Sequence, residues 1–172
     1  MAQTQTRKLI PLESNSVYIT TISLLNGAFH WALIYVDEVG KISRHQWALN
    51  PEDASGPEAY FGHDLIHGAF NHTHNDTILG YFKILDCPAP SRAYFESMCA
   101  AVFPTSHYGV EANRRAGISC RTFVTGVLVR LLPAQRVQQI EAAVIQQSTT
   151  CGDTYTTSFL WNRPYETITS MV

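Results

Sequence analysis

The sequence predicts an α+β fold in which an antiparallel sheet packs on helices. Three observations carry this. Segments rich in β-branched and aromatic residues, separated by turn residues, fill the first half of the chain. Helical periodicity is confined to the half that follows Pro88 and Pro90. Strands first and helices after is the pattern of an α+β domain, not of alternating βαβ units. With 172 residues and 45% apolar side chains, the chain has enough material for a sizeable core, so a single domain over residues 1–172 is expected.

Residues 1–15 are a polar lead-in. Ser16 to Leu25 reads as a strand, and Asn26-Gly27 marks a turn. His30 to Val36 is the second strand, Asp37 to Gly40 the next turn, and Lys41 to Leu49 the returning strand of a hairpin. Two prolines, two glycines and acidic residues make 50–62 a loop, and the His- and Asn-rich 63–75 is irregular. Thr77 to Leu85 is another strand. Ser91 is a helix cap for Arg92 to Phe103, where Phe95, Met98 and Val102 share a face. A polar connection over 104–117 leads to a helix in which Phe123, Val124, Val127, Leu128, Leu131 and Leu132 form the apolar face. Gly117 breaks the chain before it, Ser119 is its cap, and Pro133 stops it. Ala134 to Gln147 is a further helix with Val137, Ile140 and Val144 on one side. Tyr155 to Tyr165 supplies a last strand or packs irregularly.

Composition excludes several classes. Twelve basic against 14 acidic residues give a net charge of −2, with no basic excess for nucleic acid and no polybasic segment for an anionic membrane. No apolar run approaches the roughly 20 residues a membrane span needs. Met1 to Lys8 is polar and carries no signal-peptide core, so the expected location is cytoplasmic. The four cysteines, Cys87, Cys99, Cys120 and Cys151, are widely spaced and read as free thiols.

Cys120 falls in the first turn of its helix, where free N–H groups and the helix dipole favour an anion; this is where a thiolate nucleophile would be built. A thiol nucleophile also needs a base, and the base an orienting group. The hairpin supplies candidates for both. With Glu38 and Val39 as the two central turn residues, Val36 faces Lys41, Ala32 faces His45 and His30 faces Trp47. His30, Ala32, Lys41, Ser43, His45 and Trp47 then share one sheet face, and His30 and His45 are diagonal neighbours. One histidine takes the proton from Cys120, and the other holds its imidazole in the right tautomer. A register one residue different would put the two on opposite faces. Arg114, Arg115 and Arg121 flank the helix start and suit a substrate carboxylate. Trp31 and Trp47, with Tyr35 and Tyr60, suit an apolar pocket wall.

His30-Trp31-Ala32-Leu33, followed by a hairpin with a second histidine, resembles the His-Trp-Ala segment of the lecithin:retinol acyltransferase-like proteins. Ser119-Cys120-Arg121-Thr122-Phe123-Val124-Thr125 is similar to their Asn-Cys-Glu-His-Phe-Val-Thr motif. The order, histidine on an early strand and cysteine on a later helix, is that of the circularly permuted NlpC/P60 papain-like fold. The resemblance implies Cys120 as nucleophile, His30 as general base and His45 as the orienting polar group; Ser119, Arg121, Trp31 and Trp47 are the residues expected around the substrate. Ser119 stands for Asn here, and Arg121-Thr122 for Glu-His. The chain is also similar to small fungal proteins with an early His-Trp and a later Cys-Arg, which have no assigned activity.

A second constellation is His63, His67, His72 and His74, with Asp64 and Asp76 among them. Gly62 and Gly68 disfavour a helical ligand pair, and no cysteine lies near, so no metal and no cofactor are expected. The expected function is a cysteine-dependent hydrolase or acyltransferase acting on an amide or ester of a small molecule through a thioester. The alternative on the same fold is a cyclase or isomerase that binds a small molecule and works by acid–base chemistry.

Overall fold

A computed structural model describes residues 7–24, 27–50, 56–72 and 77–172. In chain order it has β1 (Leu9–Ile10), β2 (Ser16–Ser23), β3 (Phe29–Val36), β4 (Ile42–Ala48), β5 (Ala59–Asp64), β6 (Ala69–Phe70) and β7 (Ile78–Pro88). Helices α1 (Arg92–Ala100), α2 (Val110–Arg115), α3 (Cys120–Leu128) and α4 (Ala134–Leu160) follow, then β8 (Ile168–Met171). The expected α+β layout holds, with one change in the sheet. Six strands lie in the order β5-β4-β3-β2-β7-β8; the first five pair antiparallel, but β8 runs parallel to β7, so the sheet is mixed. All four helices intervene between β7 and β8, and a parallel neighbour requires a crossover of that kind. A separate two-stranded sheet joins β1 to β6.

The alternation of β3 and β4 decides what each sheet face meets. Trp31, Leu33, Tyr35 and Trp47 point to the helices and pack with Phe95, Phe123, Val124, Val127 and Ile140 in the main core. Ile34 and Val36 point the other way, with Tyr18, Ile22 and Tyr81, into a smaller core closed by Ile10 and Ala69 of the two-stranded sheet. Burying one such large apolar side chain contributes roughly 1.5–3 kcal/mol, so α3, with Phe123, Val124, Val127 and Leu128 all buried, is held by its packed face.

The short elements β1, β6 and α2 fall in segments read as polar or irregular, β8 lies past the last segment read, and two further departures from the sequence reading have local reasons. β5 begins in the second half of the 50–62 segment and runs to Asp64; only Tyr60 and Phe61 carry its strand character, and pairing with β4 supplies the rest. Residues 51–55 of that loop lie outside the described residues. Tyr155 to Tyr165 is not a strand: α4 runs on through it to Leu160. The threonines just ahead of this stretch bond back within the helix, Thr149 to Ile145 O, Thr150 to Gln146 O and Thr154 to Thr150 O. The buried stripe Val137, Ile140, Val144 continues through Ser148, which is buried against the Thr21 hydroxyl at 2.9 Å, and Cys151. Among the described residues, no helix is long and apolar enough to cross a membrane.

Candidate functional site

Cys120 opens α3. Gly117 turns the chain at φ 75°, Ser119 is extended, and its hydroxyl accepts from the Thr122 N–H at 3.1 Å while the Thr122 hydroxyl accepts from the Ser119 N–H at 2.9 Å. This is a capping box with Thr in the place usually held by Glu or Gln. Ser119 is therefore committed to the helix cap. Cys120 is half-buried, whereas Cys87, Cys99 and Cys151 are buried. Burial pushes those three thiols up, Cys99 to about 12. The Cys120 thiol lies 3.9 Å from the Phe29 carbonyl oxygen at the start of β3.

A buried brace holds the loop that delivers this cysteine. Glu58 accepts from both guanidinium ends of Arg114, each at 2.8 Å, and from Asn113 Nδ2 at 2.9 Å; Arg114 Nη1 also donates to the Ile118 carbonyl at 2.7 Å. Glu58 and Asn113 are buried. The carboxylate that Arg114 binds is thus internal, from a segment read as loop. Arg114 has its pKa raised, first by the hydrogen bonds to Glu58 and in smaller part by the charge of a Cys120 thiolate.

The two histidines separate. The turn after β3 has three residues, Glu38, Val39 and Gly40, not two. Gly40 sits at φ 82°, Asp37 N–H donates to Lys41 O and Gly40 N–H to Asp37 O, and the Asp37 carboxylate accepts from the Val39 and Lys41 N–H groups. Leu33 consequently faces His45, Tyr35 faces Ser43 and Val36 faces Ile42. This is the register one residue away from the expected one, and it puts His30 and His45 on opposite faces. His45 cannot orient His30.

His45 is a core residue. It is 1% exposed, with Nε2 at 2.8 Å from the Ser43 hydroxyl, Nδ1 at 2.7 Å from the Tyr60 hydroxyl, and Phe95 edge-on at 5.1 Å. One ring nitrogen donates and the other accepts, so the neutral ring is fully satisfied, and burial pushes its pKa down to about 4. Tyr60 is raised by burial and by neighbouring Cys99. Gly62 faces His45; a Cβ there would lie 2.6 Å from the Tyr60 hydroxyl and 3.1 Å from His45 Nδ1. Gly62→Ala should cost about 1–3 kcal/mol by overpacking, read as a lower urea midpoint; an unchanged midpoint would show that Tyr60 yields freely.

His30 has a different polar neighbour. Its Nε2 lies 3.0 Å from Gln46 Oε1. An amide oxygen only accepts, so Nε2 carries the proton and Nδ1 is the basic nitrogen. Gln46 is the residue the sequence reading missed; the corrected register was the signal that would have found it. The β3–β4 ladder covers only Leu33–Val36 and Ile42–His45, and beyond it β4 goes on pairing with β5. The His30–Gln46 contact spans the strand ends there. Among the described residues no hydrogen bond joins His30 to Cys120.

The remaining candidates disperse. Trp31 and Trp47 are buried in the main core, Trp47 against Phe103 and Phe123. Arg121 is ion-paired through Nε with Glu141 of α4 at 3.2 Å. His63 is the last residue but one of β5, His67 lies in the turn that follows, and His72 bridges to Thr77. His74 and Asp76 lie outside the described residues. Among the described residues no three metal-ligating side chains cluster.

Fold and site define an α+β protein with a half-exposed thiol at a capped helix start, packed against the end of a central strand. Compared with models of known families, with curated proteins and with solved structures, the chain matches none.

Proposed function

We propose that this protein is a thiol enzyme in which Cys120 attacks the carbonyl carbon of a small-molecule amide or ester, as a hydrolase or acyltransferase. The observation that supports the reading is the station of Cys120: first residue of α3, half-exposed, beside Phe29 and within the field of Arg114. In the proposed reaction the thiolate sulphur bonds to the acyl carbon, the amine or alcohol leaves with a proton, and water or an acceptor then cleaves the thioester. His30 remains the candidate base, with Nδ1 basic and Gln46 as its orienting group. Its ring lies on the sheet face away from α3, and no Cys120–His30 hydrogen bond lies among the described residues, so the base role proposed for His30 does not run through a direct contact with the thiol. The order of histidine strand and cysteine helix also supports a permuted papain-like arrangement.

One observation favours the acid–base alternative. The His30–Gln46 pair shares its sheet face with Arg44, and that face carries no cysteine among the described residues of β3 and β4. The second reading therefore places a cyclase or isomerase site there.

Alkylation by iodoacetamide across pH, followed by mass mapping, tests the first reading. Cys120 should take the first label near neutral pH, with Cys87, Cys99 and Cys151 far slower in the folded protein. In a screen of small amides and esters, Cys120→Ser should remove turnover, and His30→Ala should lower it at least a hundredfold, the usual scale of a general base. Labelling of Cys120 no faster than that of a free thiol overturns the thiol reading. Turnover that survives Cys120→Ser and is lost in His30→Ala selects the acid–base alternative.

A further inference from the structure

Helix α4 outruns the core it packs on. Cys151 is the last residue of its buried stripe, and the helix runs on for nine residues to Leu160, about 13 Å at the usual helical rise. Tyr155 still rests on the Tyr165 ring, their centres 5.5 Å apart. Beyond Tyr155 no side chain of α4 is buried. Phe159 is 71% exposed, Leu160 74%, and Trp161, the C-cap residue, 70%.

These three side chains do not make a face. Successive residues leave a helix about 100° apart, so the tip is apolar on every side. A protein partner covers a helix from one side, whereas a tip apolar all round is covered only by entering an apolar medium end-on. At roughly 150–250 Å2 for a whole aromatic side chain, the three present on the order of 400 Å2, the size of patch that marks function on a monomer.

The backbone at the tip is closed within the chain. The Trp161 N–H donates to Thr157 O at 3.1 Å, the Asn162 N–H to Phe159 O at 3.1 Å and the Arg163 N–H to Ser158 O at 2.7 Å, with Asn162 left-handed at φ 52°. These carbonyls need no water, which lowers the cost of leaving it. Charge points the same way. Between Asp153 and Glu166 the one charged residue is Arg163, which is exposed. A cation beside the tip, with no carboxylate in it, is the sign that meets lipid phosphate. Tryptophan is a side chain that collects at the headgroup level of membranes.

We infer that the end of α4 is a reversible anchor to a phospholipid bilayer. Phe159, Leu160 and Trp161 enter the boundary between headgroups and acyl chains, and Arg163 meets the phosphates. The anchor is apolar first and electrostatic second, so it works without a polybasic segment, and it does not cross the bilayer. It does not rest on the thiol reading.

Sedimentation of the full chain with sucrose-loaded vesicles tests this, one set of phosphatidylcholine alone and one of phosphatidylcholine mixed with phosphatidylserine. The protein should pellet saturably with both at about 0.1–1 mM lipid, the range of a single short anchor. Trp31 and Trp47 are buried, so Trp161 is the reporter. Its fluorescence should shift to the blue on vesicles and be quenched by brominated acyl chains. Phe159→Ser combined with Leu160→Ser should weaken pelleting about tenfold or more, since each side chain loses its apolar burial. Both residues are exposed, so this variant should melt with the wild type. Arg163→Gln should lose roughly fivefold on the mixed vesicles and less on phosphatidylcholine alone. Should the double variant fold poorly, quenching of Trp161 in the wild type decides. No pelleting at several millimolar lipid, full pelleting of the double variant, or absence of quenching would each overturn the proposal. So would a wild type that is dimeric in lipid-free buffer and monomeric as the double variant, because a second copy would then cover the tip. None of these results alters the labelling of Cys120, so the two readings fail separately.

Discussion

At pH 4 the fold should be roughly 3 kcal/mol less stable than at pH 7 through His45 alone. The folded pKa is about 4, against 6.5 for a free histidine, because the ring is buried and both its nitrogens are spoken for by Ser43 and Tyr60. Between those two values the unfolded chain holds a proton on this histidine and the folded chain does not. Stability from His45 is therefore fully present above 6.5 and is lost as pH falls through that window toward 4. Urea midpoints at several pH values, for wild type and His45→Gln, isolate the effect, since other titrations are common to both. Wild type should be the more stable protein at neutral pH, and the gap should narrow steadily toward pH 4. A gap that stays constant with pH would mean that His45 protonates without cost in the fold.

Glu58→Ala should destabilise by about 2–3 kcal/mol. Breaking a buried ion pair from one side costs roughly 3–5 kcal/mol, and the partial exposure of Arg114, 41% for its side chain, lets water recover part of that. The change removes the carboxylate partner from both Arg114 and Asn113, leaving Arg114 the Ile118 carbonyl and the fully buried Asn113 the Ser106 hydroxyl. It also loosens the chain between α2 and the Ser119 cap, so Cys120 should be alkylated at an altered rate while Cys151, on α4, is unaffected. Thermal unfolding and site-resolved labelling measure the two consequences. A variant that melts with the wild type would show that the brace is a surface pair without structural weight. Arg114→Lys should give an intermediate loss, because an ammonium cannot reproduce the two-pronged contact.

Much of this architecture was legible in the residues. Val17 to Ile22, Trp31 to Val36 and Ile78 to Ile84 are β-branched and aromatic enough to name three strands of the sheet unaided. Gly117, Ser119 and the apolar spacing of Phe123 to Leu128 fixed the start and the buried face of α3, and with them the position of Cys120. These features depend on neighbours three or four residues away, and the chain carries them wherever it goes.

Other features depended on partners far along the chain. The turn at Asp37–Lys41 was visible, but its length was not: the Asp37 carboxylate and the left-handed Gly40 select a three-residue loop, and that one residue turned over the whole of β4 relative to β3. It sent His45 into the core, between a serine and a tyrosine, and brought Gln46 to His30. Tyr60 lay in an apparent loop until β4 gave it a strand to pair with, and Glu58 became structural only when α2 set Arg114 opposite. Ser148 and Cys151 carry the buried stripe of α4 onward because Thr21 of β2 and Tyr165 meet them from far along the chain. The sequence by itself determined which segments are strands or helices and where the thiol stands. Register, the reach of α4 and the partner of each buried polar group were decided by tertiary structure, because a hydrogen bond or a packed face between distant segments leaves no local pattern to read.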